Sequence, residues 1–161
     1  MVNPNEFSDD EWQALQQLPI VVATLISAVD YSSASEGKEF HAFASFIQKA
    51  AKKHADTSFV TAVLGNIDVV DIEAFQQKCT LVASALSGEQ PVEKALKRIK
   101  TAGQLLDSHL DKKTAKSFKN FLVDVAVVVA RAHKESMLPF ASTISKVEDY
   151  HIRRIETALG V

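Results

Sequence analysis

The chain has 161 residues, 47% hydrophobic and 24% charged, with a formal net charge of −2. That length favours one domain able to bury a core without disulfide or metal staples, and the composition excludes a disordered chain. Five glycines and four prolines are too few for a turn-rich β-sandwich, and the single cysteine, Cys79, excludes an internal disulfide and fits a reducing compartment.

The first residues, MVNPNEFSDDEWQ, are acidic and lack the basic-then-apolar order of a secretory signal. Ser8-Asp9-Asp10-Glu11 has the form of a capping box, in which Ser8 accepts from the first turn and Glu11 reaches back. It predicts a helix over 8–30, bent near Pro19. The apolar run inside it, LPIVVATLISAV, and the later run FLVDVAVVVARA both fall short of the ~20 residues that cross a bilayer. A cytoplasmic protein is the expectation.

Ser33 and Glu36 repeat the capping pattern ahead of a helix over 35–54, where Phe40, Phe43, Ala44, Ile47, Ala50 and Ala51 recur at helical spacing. Asp56 and Asp68 can cap helices over 57–64 and 69–86. Cys79 lies within the second of these, in QQKCTLVASAL, and reads as a small core residue rather than a nucleophile. Pro91 occupies a tolerated first-turn position for a helix over 91–109, with its apolar stripe from Val92 to Leu106.

Asp111 can cap a helix over 112–134. Phe118, Phe121, Leu122, Val125, Val128, Val129 and Ala132 form one stripe on it, and Ala126, Val127 and Ala130 extend that stripe around the helix. A helix apolar nearly all round is surrounded by other helices, so this is the expected central helix despite its β-branched run. Asp124 is the one carboxylate in the run, with Arg131 seven residues on along the same face. A buried acid needs a polar partner or a raised pKa, so Asp124 either reaches the rim or bonds a neighbouring polar group, or else it marks a functional polar site inside the bundle. Ser145 and Glu148 form a third capping box ahead of a helix over 146–159, with Ile152, Ile155, Ala158 and Leu159 on its apolar face. No segment alternates as a half-buried strand does. The expected fold is a single all-α domain over 1–161, a bundle of about seven helices.

Two stretches echo each other. Each runs from an apolar helix through a small-and-polar linker into an amphipathic helix with acids in its first turn: LPIVVATLISAVDYSSASEGKEFHAFASFIQKA and FLVDVAVVVARAHKESMLPFASTISKVEDYHIRRIETALG. Two such hairpins face to face would bury both apolar helices. The pattern resembles the tellurite-resistance TerB-like helical domain. SAVDYSSASEGKEF stands in the first loop position, with Asp30 as loop acid and Glu36 and Glu39 on the helix that follows; the closing helix carries Glu148 and Asp149. The resemblance covers both ends of the chain and leaves 56–110 poorly matched, and both loops lack the family's Asp-Gly pair. It implies two pseudo-repeated helical units, a non-enzymatic role in a bacterial stress response, metal-linked sensing, and assembly with partner proteins at or near the membrane.

Asp30, Glu36, Glu39, Glu148 and Asp149 are the candidate oxygen ligands for a divalent cation if the helix starts come together. Their plainer role is capping and helix-dipole compensation. Glu148 and His151 have the Glu-x-x-His spacing of di-iron bundles, but no second copy of the motif exists. There is no Gly-x-Ser-x-Gly elbow, glycine-rich phosphate loop or Cys-x-x-Cys pair. A bundle enzyme would have to be built around Asp124, His133 and His151, although His133 reads more simply as a helix C-terminal cap.

Charge is uneven. Residues 1–40 hold seven acids and one base, whereas 91–120 hold eight bases and three acids. Lys112, Lys116 and Lys119 form a stripe, and Lys94, Lys97 and Arg98 add to the helix before it. That surface is the alternative site, for peripheral binding of anionic lipid or nucleic acid through their phosphates. Nucleic acid is disfavoured, since no aromatic residues interleave with the bases. The functional expectation is a non-enzymatic protein that binds a partner protein or a cation.

Overall fold

The structure, a computed structural model, describes residues 4–29, 39–54, 58–65, 72–137 and 144–161. After a 3-10 turn at Pro4–Glu6, seven α-helices follow: α1 (Asp9–Val29), α2 (Glu39–Lys53), α3 (Ser58–Leu64), α4 (Ile72–Leu86), α5 (Pro91–His109), α6 (Lys112–Met137) and α7 (Lys146–Leu159). There is no strand among the described residues. The all-α bundle expected from periodicity is the observed fold.

The helix ends follow from local chemistry. At α1, Glu11 N–H donates to Ser8 Oγ at 3.2 Å and Ser8 N–H donates to Glu11 Oε2 at 2.8 Å. At α6, Asp111 Oδ1 accepts from the N–H groups of Lys113 and Thr114 at 3.0 Å. The Thr114 hydroxyl donates to Asp111 Oδ2 at 2.6 Å, and these bonds, the hydroxyl's first, hold the Asp111 carboxyl below its usual range. At α7 the Ser145–Glu148 box closes in both directions, and Gly160 ends the helix with a left-handed φ of 75° that favours glycine. Pro91 sits at the start of α5 as expected. The capping roles assigned to Ser33, Asp56 and Asp68 lie outside the described residues.

Expected and observed boundaries differ little. Residues 35–38 and 69–71, placed in helices by the sequence, lie outside the described residues, and α6 runs three residues past the expected end at 134. α1 runs unbroken through Pro19, which removes one backbone hydrogen bond. α1 is also long and apolar enough to cross a membrane by length and composition alone, but nine of its residues, Leu15 to Ile26, are buried inside the bundle.

The two apolar helices lie side by side. α1 packs most extensively against α6 and α5, α2 against α6, and α7 against α5. On α6, Phe118, Phe121, Leu122, Val125, Ala126, Val129 and Ala130 are all buried; on α1, which packs against it, Ile20, Val21, Val22, Leu25 and Ile26 are buried too. An aromatic chain ties the N-terminal turn to this core. Phe7 lies beside Trp12 and Phe59, and Phe59 meets Phe118 edge to face at 5.0 Å. Full burial of a Phe or Leu side chain contributes roughly 1.5–3 kcal/mol, so this seam dominates the stabilisation.

α5 and α6 form an antiparallel hairpin locked near its turn. Lys119, expected on a solvated stripe, is 3% exposed and donates to both oxygens of Asp107 at 2.7 Å. Where α5 crosses α7, Gly103 takes the place of a side chain: a Cβ there would lie 3.3 Å from the Leu159 Cα and carbonyl oxygen.

Asp107→Asn strands the Lys119 ammonium, and it is expected to cost about 2 kcal/mol in urea unfolding, below the full cost of a buried pair because Asp107 faces water. Adding Lys119→Met should restore most of that loss; a single variant as stable as the parent would contradict the pairing. Gly103→Ala gains up to ~1 kcal/mol of helix propensity but pushes α5 against α7 backbone at ~1–3 kcal/mol, so a net loss is expected in the same assay.

Candidate functional site

The oxygen ligands proposed from sequence do not form one surface among the described residues. Asp30 and Glu36 lie outside the described residues, and Glu39 is the first residue of α2 with its side chain outside them. Glu148 was expected on an acidic exterior, but it is 0% exposed. Its Oε2 accepts from the Ser145 N–H and the Ser145 hydroxyl at 3.0 Å in the α7 cap, while its Oε1 is buried without a hydrogen-bond partner, so the carboxylate faces the interior and not an acidic exterior. Asp149 is exposed and paired with Arg153 one turn on, at 3.0 Å. No group of three or more His, Cys, Asp or Glu suited to a metal occurs among the described residues.

The basic stripe is also divided. α6 turns back from the end of α5, so Lys112 and Lys116 sit at one end of the hairpin, while Lys94, Lys97 and Arg98 sit about 15–20 Å away near the start of α5. Lys94 is engaged with the Ser87 carbonyl at 2.8 Å, and Lys119 is buried against Asp107. Lys97 and Lys100 line a groove of about 430 Å³ between α5 and α7, beside an Arg154 that already donates to Glu93 at 2.7 Å.

Asp124 bonds a neighbouring polar group, the first of the readings the sequence offered. Its partner is His54, at the end of α2, with Nε2 2.6 Å from Asp124 Oδ2. The imidazole stands edge-on to Phe121, and the pair is partly buried, 15% and 32% exposed. A carboxylate in this position fixes the orientation and tautomer of an imidazole. Sequence reasoning missed His54, because two residues 70 positions apart share no local pattern. Of the histidines named beforehand, His133 has its side chain outside the described residues. His151 is half-buried with Nδ1 unpartnered; burial chiefly, and Arg154, hold its pKa low while Glu93 opposes them. Cys79 is buried, and desolvation pushes its thiol up to about 12, which excludes a ready thiolate.

An apolar concavity of about 720 Å³ runs along the outer seam of α1 and α5. These helices are antiparallel there: Phe7 stacks on His109 at 4.9 Å, and Gln17 faces Arg98. On α1 the groove is lined by Ala14, Leu18 and Val21, one stripe at helical spacing; on α5 by Thr101, Ala102 and Leu105. The seam stays open because Ala14, Thr101 and Ala102 are too short to fill it.

The two ends of the groove differ in charge. Asp10 and Glu11 line one end, and Lys97 and Arg98 line the other. The Ser8 backbone N–H, above all, holds the Glu11 carboxyl below its usual range. Arg98 donates through one nitrogen to Gln17 Oε1 at 3.3 Å, while its Nη1 is buried without an acceptor. An unpaired buried guanidinium N–H is costly to the fold.

The chain matches no family model, no curated protein and no solved structure.

A double-mutant cycle on His54→Ala and Asp124→Ala is expected to give a coupling of about 1 kcal/mol in thermal or urea unfolding. Strictly additive losses would show that the 2.6 Å contact contributes nothing of its own.

Proposed function

We propose that the chain is a non-enzymatic interaction protein that binds a partner protein through the α1/α5 groove, in the kind of bacterial cytoplasmic stress-response assembly that the TerB-like resemblance implies. The carrying observation is the groove: about 720 Å³ with an apolar floor and opposite charges at its ends. Sites that combine apolar area with a few placed polar groups favour binding with defined orientation. The two-unit TerB-like organisation belongs to the same proposal and draws support from α1 and α6, two core helices each followed by an amphipathic one.

The other readings draw less support. A divalent cation would have to be held by Asp30, Glu36, Glu39 and Asp149 without Glu148, which the α7 cap occupies. Peripheral binding to anionic lipid would use Lys97 and Lys100 or Lys112 and Lys116, but not all of them on one surface. An enzyme reading would rest on Asp124 with His54 rather than with His133 or His151.

A photoreactive residue at Ala14 is expected to crosslink a discrete partner protein in extracts of the native cell. Unlabelled protein should compete, and Thr101→Trp, which fills the groove from an exposed position, should abolish the adduct with the melting temperature unchanged. Equal crosslinking from Thr80 on α4, or an adduct indifferent to Thr101→Trp, would overturn the assignment.

A further inference from the structure

We infer that the occupant of the α1/α5 groove is an amphipathic helix of about three turns, docked parallel to α1 with a basic N-terminal end and an acidic C-terminal end. The inference rests on the groove being the binding surface and adds the form, direction and charge order of what binds.

Dimensions set the form. The lining on α1 runs from Asp10 to Val21, about 16 Å of helix axis and therefore about 11 residues of a matching helix. The floor is built of helical ridges: Ala14, Leu18 and Val21 from one side, Ala102 and Leu105 from the other. A third helix seats in such a seam by placing its own residues at i, i+3, i+4 and i+7 between those ridges. The short side chains of Ala14, Thr101 and Ala102 leave room for larger ones from the occupant.

Charge sets the direction. A helix carries about half a positive charge at its N-terminus and half a negative charge at its C-terminus. Laid parallel to α1, it points the positive end at Asp10 and Glu11 and its free carbonyl groups at Lys97 and Arg98. The opposite direction juxtaposes like charges at both ends. Acidic side chains in the last turn would pair with Lys97, which is exposed at that end of the groove. Basic residues in the first turn complete the match, although they are unfavourable for an isolated helix; the groove then selects a sequence that its own charges stabilise.

The test uses two hydrocarbon-stapled peptides of identical composition and equal helicity, with leucines at i, i+3, i+4 and i+7. One carries lysines in its first turn and glutamates in its last; the other carries the reverse. Calorimetry with the full chain should show the basic-first peptide binding about tenfold tighter. Asp10→Lys combined with Lys97→Glu should invert the preference, and Thr101→Trp should abolish both interactions. Equal affinities, or a preference that the charge-swapped variant leaves in place, overturn the inference. If neither peptide binds while an apolar dye still binds in a manner lost in Thr101→Trp, the helix is wrong and the groove stands. If the dye also fails, the groove reading falls with it. A self-association that Thr101→Trp dissolves and the peptides do not displace would make a second copy the occupant and overturn the inference.

Discussion

The structure depends on the burial of two apolar helices against each other. α1 and α6 each carry more hydrophobic surface than one neighbour can cover, so the fold is the arrangement that covers both. α2 and α4 close one side, α5 and α7 the other, and α3 adds Phe59 beneath Phe118. Because the seam is nearly continuous apolar surface, it stabilises strongly and specifies weakly; register comes from polar contacts at its margins. Lys119 with Asp107 fixes the α5/α6 hairpin, and His54 with Asp124 fixes the end of α2 on α6.

The outer seam between α1 and α5 follows from the same constraint. α1 buries most of its apolar residues in the bundle and presents Ala14, with Leu18 and Val21 beneath, along this seam. α5 packs closely on α7, where Gly103 lets the two backbones approach. What remains between α1 and α5 is a trough that neither helix can fill, bounded by the acidic first turn of α1 and the basic first half of α5. The charge asymmetry along the chain thereby becomes an asymmetry along one groove, because the two helices are antiparallel.

Nearly all of the helices were legible in the sequence, since caps and periodicity are local. Ser8, Asp111 and Ser145 announced helix starts that the structure keeps, and the stripe from Phe118 to Val129 announced the central helix. What was not legible depends on distant pairing. Glu148 looks like a surface acid until its capping box is seen to be folded inward, and Lys119 looks like one member of a solvated stripe until Asp107 is placed beside it. Asp124 was visibly anomalous, but nothing near it in sequence points to His54. The groove belongs to two helices about 80 residues apart, and neither stripe carries a signature that the other will leave it open.

The placement of α1 has a consequence for how the chain is made. The helix that needs α6 most is the first to emerge from the ribosome, and α6 begins about 80 residues later. At ordinary rates of synthesis, α1 waits on the order of ten seconds with its greasy face uncovered. A nascent chain in that state is a substrate for holding chaperones, and its acidic leading turn helps keep it dispersed until translation delivers the partner.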